Sequence, residues 1–312
     1  MKKLIVILGP TASGKTELAI KLAKKFNGEI VSADSRQIYK EMDIGVAKPR
    51  KSQIPNPKSQ KYLVDGIPHH LIDIIKPNEK FNVAIYKKLA IGAIKNIQKK
   101  GKLPFLVGGT GLYIWAVVDN LKFPKVAPQK KLRKKLEKKS EKELLKIYKK
   151  LDPEGAKFIE KENKRRLIRA IEVCKITGKS FWEQRGKEAP LFDVLQIGIR
   201  LPKEELEKCV VERTDKMFKM GLEKEAKKLF EKYGQIPPLQ TIGYQEFKDC
   251  FEGKISKQKA KENIVLHTLQ FARRQITWFK RDKRILWIKT QKEAKKIIKE
   301  FLKGSKRQVP TC

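Results

Sequence analysis

One eight-residue stretch constrains the fold of this chain more than any other feature. It reads Gly9, Pro10, Thr11, Ala12, Ser13, Gly14, Lys15, Thr16 and matches the pattern G-x-x-x-x-G-K-[ST]. An apolar run at residues 4–8 precedes it, and apolar residues at helical spacing follow it. In the order strand, glycine-bounded loop, helix, backbone amides and the helix N-terminus can point at one anion. The stretch therefore predicts a phosphate-binding loop.

The loop residues have separate tasks in this prediction. Gly9 and Gly14 allow the backbone conformations that turn N–H groups inward. Lys15 adds a full positive charge, and the hydroxyl of Thr16 suits Mg²⁺, which is the cofactor we expect. The sequence thus predicts binding of a di- or triphosphate, and a glycine turn before an ordinary helix is the plain structural alternative.

Charge is the second informative feature. The 312 residues include 73 Lys and Arg against 35 Asp and Glu, a formal net charge of +38. Such a field attracts polyanions and makes their binding depend strongly on salt. RNA is the partner that this charge favours, although a lysine-rich bias of the source proteome would give the same composition.

Composition also bounds the class of protein. Hydrophobic residues make up 40% of the chain, which is enough for a substantial core. No segment approaches the ~20 apolar residues of a membrane span, and the chain runs into its first strand without a signal peptide. We therefore expect a cytoplasmic protein that does not bind membranes and acts as a monomer.

Short apolar runs alternate with helix-patterned segments along the chain. They lie at residues 4–8, 29–33, 71–75, 104–107, 194–199 and 285–288. This alternation predicts an α/β fold, a P-loop NTPase or kinase-like mainly parallel sheet flanked by helices. We assign residues 1–120 and 192–312 to this core. We also expect residues 49–57 to form a loop and the tail after Gly304 to fray.

The sequence pattern changes at residues 121–191, where apolar strand-like runs are absent and lysine-rich helical patterns replace them. Ser140 and Glu143 have the spacing of a capping box, which predicts a helix start at Ser140. We expect this segment to be an all-α insertion domain.

Asp34 stands at the carboxyl end of the apolar run at residues 29–33. Ligand sites of open α/β sheets lie at this end of the strands. Three roles remain open for Asp34: a ligand of Mg²⁺, a general base facing an acceptor, or a cap of the next turn. Gly108, Gly109, Thr110 and Gly111 follow another run and predict a second wall of the same site.

Arg213 lies on an apolar helical stripe with Leu206, Val210, Met217 and Met220. A buried guanidinium needs an anionic partner, since its desolvation costs several kcal/mol. A structural carboxylate and a bound diphosphate are both open as that partner. The guanidinium fork fits phosphate oxygens particularly well.

Several motifs together resemble the tRNA dimethylallyltransferase family, the tRNA isopentenyltransferases. The matching stretches are GPTASGKTELA at residues 9–19, DSRQIYKEMDIGVAKP at 34–49, PHHLIDI at 68–74, VGGTGLY at 107–113, RRLIRAIEV at 165–173, QTIGYQE at 240–246 and ARRQITWFKRD at 272–282. They occur in the family's order over nearly the whole chain. The resemblance implies transfer of a dimethylallyl group from dimethylallyl diphosphate to N6 of the adenosine 3′-adjacent to the anticodon in tRNA.

The resemblance also implies roles for individual residues. Asp34 would be the general base, Thr11 would lie at the bridging oxygen of the donor, and Arg213 would stabilise the departing diphosphate. The phosphate loop would hold the donor's diphosphate. The tRNA anticodon stem-loop would contact Asp34, Ser35, Arg36, Gln37, Thr110, Arg165, Arg166, Leu167, Ile168, Arg169, Gln240, Thr241, Ile242, Gly243, Tyr244 and Gln245. The insertion domain would thus contact tRNA.

The chain departs from the family pattern at Cys209, where many members carry an additional arginine one helical turn before Arg213. Two other functions remain open from sequence. A P-loop kinase of a nucleoside or small molecule would explain the phosphate loop and Asp34, but not the charge of +38. A non-catalytic RNA-binding protein would explain the charge, but not an inward-facing Arg213.

Overall fold

The computed structural model describes residues 1–52 and 62–304. It separates into two compact units, the first made of Met1–Val117 with Leu191–Cys312 and the second of Val118–Pro190. The expected boundaries at residues 120 and 192 lie within three residues of these. Most of the loop expected at residues 49–57 and the tail expected after Gly304 fall outside the described residues. No helix in the described ranges is both long enough and apolar enough to cross a bilayer.

The elements are numbered along the chain. The strands are β1 Lys3–Leu8, β2 Gly28–Ser32, β3 Tyr62–Val64, β4 Ile67–His70, β5 Leu103–Gly108, β6 Leu121–Lys122, β7 Gly186–Lys187, β8 Asp193–Ile199 and β9 Ile285–Ile288. The helices are α1 Lys15–Lys25, α2 Val83–Lys99, α3 Gly111–Val118, α4 Lys130–Glu137, α5 Glu141–Leu151, α6 Gly155–Phe158, α7 Lys164–Thr177, α8 Lys203–Lys219, α9 Leu222–Tyr233, α10 Gln245–Phe251, α11 Lys257–Phe279 and α12 Gln291–Lys303. One 3₁₀ turn spans Pro237–Leu239.

A seven-stranded sheet forms the centre of the first unit, in the order β3-β4-β2-β5-β1-β8-β9. The pairs from β4 to β9 are parallel, and β3 runs antiparallel to β4 at one edge. The expected fold class, a mainly parallel sheet flanked by helices, is confirmed.

The central strand β1 is buried on both faces, as its continuous apolar run predicts. Ile5 and Ile7 pack with Leu22 of α1 and Ile298 of α12 in one core cluster. Because side chains alternate along a strand, Leu4 points to the opposite face of the sheet. Because β1 is fixed in the core, the phosphate loop that follows it starts from a fixed position.

The helices after β8 build a second core cluster of the first unit. Met217 of α8, Leu222 of α9 and Phe247 of α10 pack there against Ile38 and Met42 from the segment after β2. The helices α8 and α11 also pack on each other around Val210 and Ala272. These helices therefore enclose the carboxyl end of β2.

The expected strand at residues 71–75 is wrong. The strand lies earlier, at Ile67–His70, and the chain then turns with positive φ angles at Leu71 and Asp73. Ile74 and Ile75 N–H groups donate to the carbonyl of Ile38, beyond the sheet. Ile74 and Ile75 pack against the second core cluster instead of joining the sheet.

The second unit is mostly helical. Its capping box is confirmed, because the Ser140 hydroxyl accepts from the Glu143 N–H and the Glu143 carboxylate accepts from the Ser140 N–H. Helices α5 and α7 share a core that includes Leu144, Tyr148 and Ile171. The expectation of an all-α insertion is wrong in one respect, since β6 and β7 pair as a short antiparallel ribbon near its two ends.

Candidate active site

Three loops meet at one edge of the sheet because β2, β5 and β1 are neighbours. Leu8 is in register with Gly108, and Ser32 is in register with Val107. The loops that follow these strands therefore begin side by side. They are the phosphate loop after β1, the segment that starts with Asp34 after β2, and the glycine-rich turn after β5.

The phosphate loop has the backbone that anion binding requires. Gly14 has φ 76° and stands immediately before α1, and Ala12 also has a positive φ of 66°. The Ser13 N–H donates to the Pro10 carbonyl at 3.3 Å. The Ser13 hydroxyl is buried without a hydrogen-bond partner in the described part of the chain. An orphaned hydroxyl inside the loop fits a missing oxyanion.

The surroundings of Lys15 disfavour the protonated form of its amine. Its Nζ donates to the Pro10 carbonyl at 3.1 Å. Burial lowers the pKa of Lys15 to about 8, the charge of Asp34 opposes this shift, and that of Arg213 adds to it. Three formal charges therefore interact across one small space, two of them positive.

Thr16 lies in the first turn of α1, next to Lys15. Mg²⁺ in phosphate sites keeps several waters and takes one or two protein oxygens together with the phosphates. The described residues contain no cluster of three or more acidic, His or Cys side chains that could hold a metal by itself. The donor set, a single hydroxyl beside a phosphate loop, fits a magnesium ion that enters with the diphosphate.

Asp34 caps the turn that follows β2 through one of its two carboxylate oxygens. Its Oδ1 accepts from the N–H groups of Arg36 at 2.8 Å and Gln37 at 3.4 Å. Its Oδ2 has no hydrogen-bond partner among the described residues, and the side chain lines a cavity. The turn-capping role is therefore confirmed, and it leaves one oxygen available for a proton.

The glycine-rich turn is tied to the Asp34 segment. The Ser35 N–H donates to Thr110 Oγ1 at 3.0 Å, and the Thr110 N–H donates to the Ala33 carbonyl at 3.1 Å. A Cβ at Gly108 would meet the Ala33 carbonyl oxygen at 2.2 Å. Only glycine permits this approach of the two strand ends.

Arg213 has no ion pair within residues 1–52 and 62–304 and faces the cavity beside Asp34. Burial lowers the pKa of Arg213, and the nearby charge of Asp34 opposes the shift. A structural carboxylate partner is thus not observed. The predicted buried stripe is correct for Leu206, Val210 and Met217, whereas Met220 is 52% exposed because α8 ends at Lys219.

Sequence reasoning did not single out Gln275, which lies on α11 and is 7% exposed. Its Oε1 accepts from the Thr11 N–H and its Nε2 donates to the Gly109 carbonyl, each at 2.8 Å. It therefore joins the phosphate loop to the glycine-rich turn. Two sequence signals could have found it: its place in the matching stretch at residues 272–282, and its position on the inward face of α11, three residues after Ala272.

A cavity of about 360 Å³ opens in front of these groups. Its lining includes residues from all three loops and from α8 and α11. They are Thr11, Asp34, Ser35, Arg36, Gly45, Val46, Thr110, Arg213, Thr214, Met217, Gln240, Thr241, Ile242, Gly243, Gln245, Ile264, Thr268, Phe271, Arg274 and Gln275. The structure thus brings most of the predicted site residues of the first unit to one space.

A second cavity of about 400 Å³ shares Arg213 and Met217 with the first. Its lining is largely apolar and includes Ala12 and Gly14 of the phosphate loop. Cys209 also lines it. Arg213 and Met217 therefore border both cavities.

Two predicted tRNA-contacting residues of the first unit point elsewhere. Tyr244 is fully buried, and its hydroxyl donates to Glu225 at 2.7 Å. The Gln37 carboxamide accepts from the Ser32 hydroxyl at 3.2 Å and does not line the first cavity. The prediction of side-chain contact by Tyr244 is wrong, because its ring packs under Gly45.

The residues of the basic motif at 165–169, in the second unit, also differ in their surroundings. Leu167 and Ile168 lie in that unit's core, so the prediction that they contact tRNA is wrong for their side chains. Arg169 pairs with the buried Glu172 at 2.6 Å, and Arg166 pairs with Glu160 at 2.9 Å. Their structural partners reduce what these two arginines can offer a phosphate.

Arg165, in contrast, is exposed, and the structure shows no ion pair for it within the ranges that it describes. Its neighbours on α7 face the core or acidic side chains, so the helix presents Arg165 to solvent. Of the basic motif, Arg165 is therefore the residue best placed to contact a phosphate.

Comparison with known proteins assigns the family. Residues 37–282 match the family described as IPP transferase. This chain belongs to the IPP transferase family. Curated relatives include the tRNA dimethylallyltransferase of Microcystis aeruginosa, 44% identical over 93% of this chain and 89% of that protein. That of Carboxydothermus hydrogenoformans is 42% identical over 96% of both chains.

Solved structures of IPP transferases agree with the fold. The tRNA isopentenylpyrophosphate transferase of Bacillus halodurans is 35% identical, with a TM-score of 0.70 over 97% of this chain and 96% of that one. A eukaryotic dimethylallyltransferase acting on tRNA is 27% identical, with a TM-score of 0.83 over 99% of this chain and 81% of that one.

The family assignment indicates which chemical groups the three loops have to bind. An IPP transferase handles a diphosphate, and the phosphate loop with its orphaned Ser13 hydroxyl is built for such an anion. Asp34 has a carboxylate oxygen and Arg213 a guanidinium without partners among residues 1–52 and 62–304, and both line the same cavity. The site can therefore accept a proton on one side and stabilise a leaving diphosphate on the other.

Proposed function

We propose that this protein transfers a dimethylallyl group from dimethylallyl diphosphate to N6 of the adenosine 3′-adjacent to the anticodon in tRNA. Membership of the IPP transferase family supports the proposal, as do relatives named tRNA dimethylallyltransferase. One structural observation carries it for this chain. Asp34 and Arg213 face one cavity beside the phosphate loop, and neither is neutralised by an ion pair among the described residues.

The reaction balances with the groups present. The adenosine N6 attacks the first carbon of the dimethylallyl group, and an N–C bond forms. The bond between that carbon and the diphosphate oxygen breaks, and its electron pair leaves with the diphosphate. The N6 proton passes to Oδ2 of Asp34, the oxygen that the capping hydrogen bonds leave free.

Departure of the diphosphate is the step that most needs positive charge. Lys15, Arg213 and the loop amides would neutralise the negative charge that develops on the bridging oxygen. Thr11 lines the cavity next to these groups and would reach that oxygen. Mg²⁺ held by Thr16 and the phosphates would supply further electrostatic stabilisation.

The two cavities suit the two substrates. The largely apolar second cavity borders Gly14 and would take the five-carbon group of the donor. The first cavity is lined by Ser35, Arg36 and Thr110 and would take the acceptor base. The substrates would then meet at Arg213, which both cavities share.

An adenine in an RNA loop is stacked, so the target base must be extruded into the cavity. In a single-stranded loop this costs only about a few kcal/mol. The tRNA would contact the first unit through Asp34, Ser35, Arg36, Thr110 and the segment Gln240–Gln245, and the second unit through Arg165. We propose that the protein acts as a monomer.

The kinase alternative is not favoured. It shares the phosphate loop, but the relatives that match nearly the whole chain are named as transferases of a prenyl group to tRNA. A non-catalytic RNA-binding protein would have no use for Arg213 unpaired in a cavity opposite Asp34.

The test supplies the purified protein with Mg²⁺, unmodified tRNA and radiolabelled dimethylallyl diphosphate, and counts label in acid-precipitable RNA. We expect label in RNA, and digestion to nucleosides should place it on adenosine. Absence of label, together with hydrolysis of ATP or transfer of its phosphate to a small acceptor, would support the kinase.

Asp34→Asn is the matched variant for this assay. The amide oxygen still accepts from Arg36 N–H and preserves the turn, but the side chain cannot take a proton. We expect the rate constant to fall by about 10²–10⁴-fold and the affinity for tRNA to stay within about tenfold. Turnover at the wild-type rate would remove Asp34 as the base.

A further inference from the structure

We infer that Gln275 is a positioning residue that sets the separation between the donor and acceptor halves of the active site. The inference rests on the proposed function and extends it to a residue on α11 outside the three loops. Gln275 touches neither reacting group in this account. It acts by holding the loops that do.

The side-chain amide of Gln275 bridges two loops of different strands. Oε1 accepts from the Thr11 N–H of the phosphate loop, and Nε2 donates to the Gly109 carbonyl of the turn after β5, each at 2.8 Å. The two loops differ by about a hundred residues in sequence, yet one carboxamide joins them. A change in either bond would move one loop relative to the other.

Each bridged loop carries a different half of the reaction. Thr11 and Lys15 belong to the donor half. On the acceptor side, the residue after Gly109 is Thr110, whose Oγ1 accepts from the Ser35 N–H next to Asp34 at 3.0 Å. A continuous path of short hydrogen bonds therefore runs from the donor loop through Gln275 to the segment that carries the base.

A side-chain carboxamide satisfies both ends of this bridge. The Thr11 N–H needs an acceptor and the Gly109 carbonyl needs a donor, so one terminal group must supply both. Ionised glutamate has no donor, and lysine and arginine have no acceptor. A Cβ at position 109 would lie 2.4 Å from the Gln275 Nε2, so Gly109 is the residue that admits the amide.

The helix that carries Gln275 is well fixed. Gln275 is 7% exposed, and Ala272 and Phe279 on either side of it are fully buried. Ala272 and Ile276 pack with Val210 of α8, the helix of Arg213. The same helix pair therefore holds the bridging amide and the guanidinium that faces the leaving group.

The first variant is Gln275→Met, which keeps the volume and removes both hydrogen bonds. We expect kcat to fall by about 10- to 100-fold, because a shift of the reacting groups by about 1 Å can slow a reaction by a factor of this size. The KM values for dimethylallyl diphosphate and tRNA should stay within about threefold, since the binding groups themselves are intact. A wild-type kcat, or a loss confined to KM, would overturn the inference.

The second variant, Gln275→Glu, tests the bridge through its protonation and remains informative if the methionine variant does not fold. The ionised carboxylate can accept from Thr11 but repels the Gly109 carbonyl, whereas the neutral acid can donate to it. We expect the ratio of its kcat to the wild-type kcat to rise as pH falls from about 8.5 to 5.5. Taking the ratio removes every effect of pH that the two proteins share, and a ratio independent of pH would overturn the inference.

Gln270→Glu is the matched control, because Gln270 lies on the same helix but is exposed. Its kcat should equal that of the wild type at every pH. Thermal unfolding of each variant separates a change in rate from a change in stability. If the wild type and the control both fail to prenylate tRNA, the proposed function is at fault rather than the role of Gln275.

Discussion

Charge balance among Lys15, Asp34 and Arg213 decides the chemistry at the scale of single residues. Burial depresses the pKa values of both cations, and the charge of Asp34 opposes each shift. Two cations and one carboxylate leave an excess of positive charge in a buried space. A bound diphosphate would remove that excess, so the charges of the site favour binding of an anion.

The pKa of Lys15 gives a testable dependence on pH. In the free protein Lys15 loses its proton as the pH rises through about 8. The donor diphosphate binds the protonated form better, so its affinity is present below that pKa and is lost above it. We expect the KM for dimethylallyl diphosphate to rise by about tenfold between about pH 8 and pH 9.5.

Steady-state kinetics at saturating tRNA measures this KM. Lys15→Arg is the control, because a guanidinium keeps its charge throughout this range, and its KM should not change with pH. A KM of the wild-type protein that stays constant across the range would show that Lys15 does not contact the diphosphate.

At the scale of elements, α7 shows how one basic motif divides into structure and surface. Glu172 is buried and accepts from Arg133, Arg169 and the Gln129 N–H. Burial alone would raise the pKa of Glu172, but the hydrogen bonds from these groups lower it to about 2. Arg169 is thus part of the unit's interior network, whereas Arg165 is exposed on the same helix.

A matched pair of alanine variants separates the two roles. Arg165→Ala should reduce the slope of log K for tRNA against log salt by about one, without changing stability. Arg169→Ala leaves Glu172 short of a partner and should lower the free energy of unfolding of the second unit by about 1–3 kcal/mol. Filter binding at several salt concentrations and chemical denaturation measure the two effects. Equal effects of the two variants on the slope would contradict this division.

At the scale of the whole molecule, two units and a net charge of +38 shape the interaction with RNA. The first unit is assembled from two chain segments, and the second is inserted between them. The phosphate loop, Asp34 and Arg213 all belong to the first unit, so chemistry is confined there. The positive charge, in contrast, is spread over the sequence of both units.

This separation predicts that salt changes the affinity for tRNA but not the rate of the chemical step. If the protein neutralises about 6–10 phosphates, affinity for tRNA should fall by about 10³–10⁵-fold between 50 mM and 200 mM salt. The single-turnover rate at saturating tRNA should change by less than about twofold, because the buried charges of the site are screened little. A rate that falls in parallel with affinity would contradict this view.

Several features of this protein follow from short stretches of sequence. The phosphate loop, the start of α5 at its capping box and the buried strand β1 depend on residue types at fixed spacings of a few positions. Motifs of 7 to 16 residues also indicated the family and include Asp34, whereas helical spacing of apolar residues pointed to Arg213. Such features are local, so a single sequence contains the information for them.

Other features were beyond those patterns. The run at residues 71–75 is as apolar as a strand, and only packing shows that it leaves the sheet. Tyr244 and Leu167 lie in matching motifs, and only the structure shows that both are buried. A motif records which residues occur together, and it does not say which of them face solvent.

The sequence by itself therefore determined the phosphate loop, the α/β class and the positive charge, and it supplied the candidate reacting groups. Tertiary structure alone decided that Gln275 joins the loop of Thr11 to that of Gly109, and that Arg213 lines one cavity with Asp34 and has no ion pair in the described part of the chain. The physical reason is distance along the chain. Contacts between residues a hundred or more positions apart depend on strand order and helix packing, which no local spacing encodes.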